Sequence, residues 1–96
     1  MSELSWTGPA LAVLRRIDTW LEKEASPELA IRILGKIRER SKFLADFPRG
    51  GRPMMSKEYR VLRVHDTPYL LAYRITETKC EILRVFHERE DWHLEP

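Results

Sequence analysis

The sequence predicts a two-layer α+β domain, ordered strand–helix–helix–strand–strand–strand, with a helical hairpin packed on one face of an antiparallel sheet. Three observations carry this. Apolar residues recur at three- and four-residue steps through two segments of the first half. A proline- and glycine-rich break, Pro48-Arg49-Gly50-Gly51-Arg52-Pro53, ends that pattern. Beyond it, the stretch from Glu58 to Trp92 divides into three apolar runs of strand length, separated by His65-Asp66-Thr67-Pro68 and Thr76-Glu77-Thr78-Lys79.

Taken in order, Ser2 to Trp6 alternates weakly and forms a short first strand. Thr7 then offers a hydroxyl cap, and Pro9 falls in a first helical turn, where its missing N–H costs nothing. Ala10, Val13, Leu14, Ile17, Trp20 and Leu21 place one apolar stripe on a helix that runs to about Glu24. Ser26-Pro27-Glu28 opens the second helix, with Ser as cap, Pro in the first turn and Glu near the positive dipole end. Its stripe is Ala30, Ile33, Leu34, Ile37, Leu44 and Phe47. Gly35 inside it costs about 1 kcal/mol relative to Ala, which points to a close helix–helix approach. Arg32, Lys36, Arg38, Glu39, Arg40 and Lys42 lie off the stripe and read as a solvated face. The short link at Ala25 favours an antiparallel hairpin, and the short turns favour an antiparallel meander.

Ninety-six residues suit one domain, 1–96, since a second could not bury its own core. A chain 43% apolar and 33% charged is that of a globular protein. The net charge of +2 is too small for nonspecific coating of nucleic acid, so any such contact needs locally concentrated charge. Cys80 is the only cysteine, which excludes an internal disulfide and points to a reducing compartment. The first residues carry no basic end followed by an apolar stretch, and no apolar run approaches the roughly 20 residues of a membrane span, so a cytoplasmic location is expected. No cofactor or metal motif stands out.

Strand alternation sharpens the second half. If Leu62 and Val64, then Tyr69, Leu71, Tyr73 and Ile75, and finally Leu83 and Val85 face the helices, the other face carries Tyr59, Val61, Arg63, Leu70, Ala72, Arg74, Cys80, Ile82, Arg84 and Phe86. That parity collects Arg63, Arg74 and Arg84 on one face. They form either a groove for an acidic peptide or phosphates, held by forked guanidinium hydrogen bonds, or ordinary surface arginines whose stems cover apolar sheet. A sheet apolar on both faces wants a second cover, which points to a partner.

At this point the chain resembles the RelE/ParE superfamily of toxins from bacterial type II toxin–antitoxin systems. The matching pieces are the amphipathic first helix, Ser26-Pro27-Glu28-Leu29-Ala30, Phe43-Leu44, Phe47-Pro48 with Gly51-Arg52, and the three later runs. Those runs are Tyr59-Arg60-Val61-Leu62-Arg63-Val64, Pro68-Tyr69-Leu70-Leu71-Ala72-Tyr73-Arg74-Ile75 and Ile82-Leu83-Arg84-Val85-Phe86-His87. The resemblance implies the RelE/ParE-like fold and a cognate antitoxin whose C-terminal segment wraps and neutralises the toxin. It also implies operator DNA reached only through that antitoxin, and a role in growth inhibition and plasmid stabilisation.

The target is left open between two branches. RelE-type members cut ribosome-bound mRNA; ParE-type members are non-nucleolytic and poison DNA gyrase. RNA cleavage needs a base for the 2′-hydroxyl, cations for developing charge and an acid for the leaving oxygen. The candidates for that chemistry are His87, Arg89, Arg60 and Arg63. Against it, Val61 and Leu70 are apolar near where RelE-type enzymes carry cations, Glu90 and Asp91 add negative charge, and no tyrosine follows Trp92. The balance favours gyrase, with Arg63, Arg74, Arg84, Tyr59, Phe86 and Trp92 as the surface that meets target or antitoxin. A non-toxic adaptor domain is the third reading. His87 and Trp92 also read as ordinary strand-end packing residues, and Met54 and Met55 as either an adaptable contact or a filler under the loop.

Overall fold

A computed structural model describes residues 3–54 and 59–89 of the chain. Ser2, Met55, Glu58, Glu90, Asp91 and Trp92 lie outside them, as do the expectations placed on those residues. The element order is β1 (Glu3–Trp6), α1 (Gly8–Glu24), α2 (Pro27–Asp46), β2 (Arg52–Pro53), β3 (Arg60–Arg63), β4 (Tyr69–Ile75) and β5 (Lys79–His87).

Both helices start where the caps predict. The Thr7 hydroxyl accepts from the Ala10 N–H, and the Ser26 hydroxyl accepts from the Leu29 N–H. Each satisfies one of the donors a helix start leaves unpaired. The sheet order is β1-β5-β4-β3-β2. The meander β3-β4-β5 is antiparallel as expected, but β1 runs parallel to β5, so the sheet as a whole is mixed. The helical hairpin carries the chain across one face and returns it on the far side, which is what lets the first strand lie alongside the last. The expected connector contributes a further two-residue strand, β2, whose Pro53 suits a sheet edge.

The main core lies between the helices and the sheet. Ala10, Leu14 and Leu21 of α1 and Ala30, Ile33, Ile37 and Leu44 of α2 close on Leu62, Val64, Tyr69, Leu71, Tyr73, Cys80, Ile82 and Val85. Cys80 and Ile82 were expected on the other face. The pairing explains the difference: Ala72 lies opposite Arg84 and Tyr73 opposite Ile82, so Leu83 is an extra, bulged residue. One inserted residue reverses the side-chain parity on either side of it. Leu83, expected to face the helices, is the bulge itself.

Three other expectations are corrected. Trp20 is 57% exposed and Phe47 59% exposed, although both fall on apolar stripes. Gly35 meets no neighbour within 4 Å of where a Cβ would stand, so it faces open space and brings no helices together. The second face of the sheet holds its own buried cluster, Val61, Leu70, Ala72 and Phe86, with Met54 and Tyr59 packed against it. No helix among the described residues is long and apolar enough to cross a membrane.

Candidate functional site

Residues directly opposite on an antiparallel ladder share a face. Arg63 lies opposite Leu70 and Arg84 opposite Ala72, and Arg74 has the parity of Ala72 on β4. All three guanidinium side chains therefore leave the sheet on the face away from the helices, as the alternation predicts. They do not converge into one fork. Leu70 and Arg74, which mark the ends of the row, stand four residues apart, about 13 Å along the strand. Each arginine also has an occupant within the chain. Arg63 Nη2 is 2.9 Å from Glu88 Oε2, and Arg74 Nε is 2.6 Å from Glu81 Oε1. The Arg84 guanidinium sits 5.5 Å from the centre of the Phe86 ring. The Arg74 hydrogen bond holds the Glu81 carboxyl below the usual carboxylate range, against the opposing pull of desolvation. Phe86 is 4% exposed and Tyr59 half-buried. The apolar part of this face is thus closed already, and the second cover inferred from its sequence is provided within the chain.

Of the four groups singled out for RNA cleavage, His87 and Arg89 are neighbours, whereas Arg60 and Arg63 stand apart from them. His87 lies opposite Tyr69, on the helix side of the sheet, with the two rings edge to face at 5.6 Å. Arg60 lies opposite Tyr73, on that side but four residues further along β4, about 13 Å away. Arg63 leaves the opposite face. Arg89 meets His87 through its main chain, its N–H donating to Nδ1 at 3.1 Å.

Arg60 and Tyr73 instead build a clamp on the loop after α2. The fully buried Tyr73 hydroxyl donates to the Pro48 carbonyl at 2.8 Å and accepts from the Gly51 N–H at 2.8 Å. Arg60 Nη1 donates to the Gly51 carbonyl at 2.7 Å. A Cβ on Gly51 would stand 2.6 Å from the Tyr73 hydroxyl and 2.8 Å from the Val61 carbonyl, so only glycine fits this approach. Burial pushes the Tyr73 phenol above its ordinary pKa, with the Gly51 hydrogen bond pulling the other way.

One concave feature lies on residues that the sequence reading assigned to the core. A cleft of about 670 Å³ opens between the helical hairpin and the ends of β4 and β5. Its walls include Ile17, Trp20, Leu29, Ile33, Tyr69 and Val85, and Arg16, Arg84 and His87 also line it. The signal was present in the width of the stripes. Val13 and Ile17 on α1 and Leu29 on α2 pack on the core only in part, and Trp20 is exposed, so the stripes are wider than the face the sheet covers. Among the described residues, no three His, Cys, Asp or Glu side chains stand close enough together to hold a metal ion.

A cleft with an apolar floor and cationic groups around it suits an amphipathic acidic segment. The comparisons with known proteins agree with a chain that takes a protein partner. The family model described as ParE toxin of type II toxin-antitoxin system, parDE, matches residues 4–92. A Sinorhizobium fredii protein named "Putative toxin Y4kP" is 37% identical over 89 residues, spanning 93% of this chain and 91% of that one. A solved chain described as "Chromosomal ParDE TA system from P. aeruginosa" superposes with a TM-score of 0.82 at 28% identity, covering 91% of this chain and 96% of that chain.

Proposed function

Because the chain belongs to the ParE toxin family of type II toxin–antitoxin systems, we propose that it arrests growth by binding DNA gyrase and cuts no RNA. The observation that carries the choice is the separation of His87, Arg60 and Arg63. A general base must reach the proton it removes within hydrogen-bond distance, and the cation that steadies the phosphate must stand beside it. Here the imidazole and the Arg63 guanidinium leave opposite faces of the sheet, and Arg60 is tied to the loop carbonyls. A toxin that works by binding needs no such convergence.

In this reading the neutralising partner is a cognate antitoxin, and its amphipathic acidic C-terminal segment fills the cleft lined by Trp20, Leu29 and Val85 and pairs with Arg16. On the same reading the protein acts in the cytoplasm, where it meets gyrase and antitoxin, and operator recognition is left to the antitoxin. Arg63, Arg74 and the Arg49–Arg52 loop remain outside that cleft and add exposed cations that a target could meet, with Arg63 and Arg74 exchanging Glu88 and Glu81 for it.

The test is expression without a partner, followed by two assays on purified components. Inhibition of gyrase supercoiling with ribosome-bound mRNA left intact is the expected result, and His87→Ala and Arg89→Ala should retain growth inhibition. Cleaved mRNA together with loss of toxicity in those variants would establish the endoribonuclease instead. Normal growth on expression would leave only an adaptor role.

A further inference from the structure

The band of charge on α2, read from sequence as a solvated face, has a geometry that a merely solvated face does not need. Between Arg32 and Lys42 the helix carries five cations and one anion, Glu39, a local charge of +4. The rest of the chain then holds 12 basic and 14 acidic residues. Almost all the positive character of this protein is therefore concentrated on three turns of one helix.

Arg32, Lys36 and Arg40 follow one another at four-residue steps, so successive cations stand about 6 Å apart along the axis. They line one wall of a second cleft, about 550 Å³, whose other wall is the β3–β4 turn with Val64, His65 and Asp66. Gly35 lies in the middle of that row and leaves the space in front of it open. One end of the row is fixed by Arg40. Arg40 Nε donates to the Arg63 carbonyl at 2.9 Å, and its guanidinium lies 4.8 Å from the centre of the Phe43 ring. The two acids at the cleft are partly spent. Asp66 is 3.6 Å from Lys36, and Glu39 is 3.9 Å from Lys42 on the outer side. Among the described residues Arg32 has no ion-pair partner.

We propose that this groove binds the phosphodiester backbone of a nucleic acid through Arg32, Lys36 and Arg40, without reading sequence. A regular row of cations one helical turn apart matches a regular row of phosphates, and phosphate contacts position a chain on nucleic acid without specifying bases. An acidic peptide fits the other cleft better, because that one offers Ile17, Trp20, Leu29 and Val85 to apolar side chains. Here Arg40 already covers the Phe43 ring. No residue lines both clefts, so occupation of one does not use the residues of the other. The proposal stands apart from the choice of target, and adds direct phosphate contact to a reading in which DNA is reached through the antitoxin.

The test is fluorescence anisotropy of the purified full chain with a labelled random-sequence duplex, titrated across salt concentrations. The double variant Arg32→Gln/Lys36→Gln is compared with Arg15→Gln/Lys23→Gln, which removes the same charge from exposed positions on α1. The expected result is a salt slope reduced by about 2 in the first variant and unchanged in the second. Thermal melts establish that both are folded. A labelled single-stranded RNA distinguishes the source of phosphate: tighter binding of the duplex assigns DNA, and tighter binding of RNA keeps the site but assigns it to RNA. Equal losses in the two variants, no binding at low salt, or displacement by polyglutamate as effective as by duplex would each overturn the proposal.

Discussion

At the scale of single residues, the buried polar groups give the clearest predictions. Cys80 is fully buried, and burial pushes its thiol from 9.0 up to about 11. The folded state therefore keeps this proton after the unfolded chain has released it. Stability is full below pH 9 and falls as the pH rises towards 11, with Tyr73 adding to the same alkaline limb through its own raised pKa. Thermal melts from pH 8 to 11 should show that fall, and Cys80→Ala should flatten it in part. At neutral pH the native thiol should react with a maleimide only after unfolding, because the thiolate is the nucleophile. Tyr73→Phe leaves the Pro48 carbonyl and the Gly51 N–H without their partner, which costs about 2 kcal/mol in urea unfolding. None of this pairing was legible in the sequence. The parity of Tyr73 was, but the hydroxyl meets a loop 22 and 25 residues earlier, and alternation along a strand says nothing about what lies at the tip of its side chains.

At the scale of elements, the two helix starts read alike in sequence but differ in what they hold. Ser26 caps α2 locally, and Ser26→Ala should cost about 1 kcal/mol. Thr7 caps α1 and also donates, through the same hydroxyl, towards the Ile82 and Leu83 carbonyls at 3.0 and 3.2 Å. Those carbonyls flank the bulge in β5, so Thr7 ties the first helix to the irregular point of the sheet. Thr7→Ala should therefore cost about 2 kcal/mol, measurably more than Ser26→Ala in the same denaturation series. Helix limits and the three meander strands were legible because caps, prolines and apolar periods are local signals. The bulge was not: Ile82, Leu83, Val85 and Phe86 are apolar on both parities, so nothing local marks where the alternation slips. The pairing of β1 with β5 was hidden for the related reason that four weakly alternating residues do not state their neighbour. The row Arg63, Arg74 and Arg84 shares a face despite the slip, since Arg84 lies beyond the bulge and the error affected Cys80, Ile82 and Leu83.

At the scale of the whole molecule, the fold divides its surface by chemistry. The helices bury one edge of each stripe in the core and leave the other edge to the 670 Å³ cleft, so Trp20, at 57% exposure, is a large aromatic of that cleft that folding leaves uncovered. Aromatic anchors in apolar pockets carry a disproportionate share of interface energy, whereas an exposed side chain contributes little to the stability of its own fold. Trp20→Ala should accordingly leave the melting temperature almost unchanged and weaken antitoxin binding roughly 30-fold or more, measured by calorimetry. Leu14→Ala, on the buried side of the same helix, should do the reverse, lowering stability by about 3 kcal/mol through lost burial and a new cavity. A Trp20 variant that melts early would return this side chain to the core. One that melts normally but still binds antitoxin at full strength would remove the cleft from the interface. The pair of variants separates the two uses of one apolar stripe, which a periodicity in the sequence cannot do because burial by the fold and burial by a partner select the same residues.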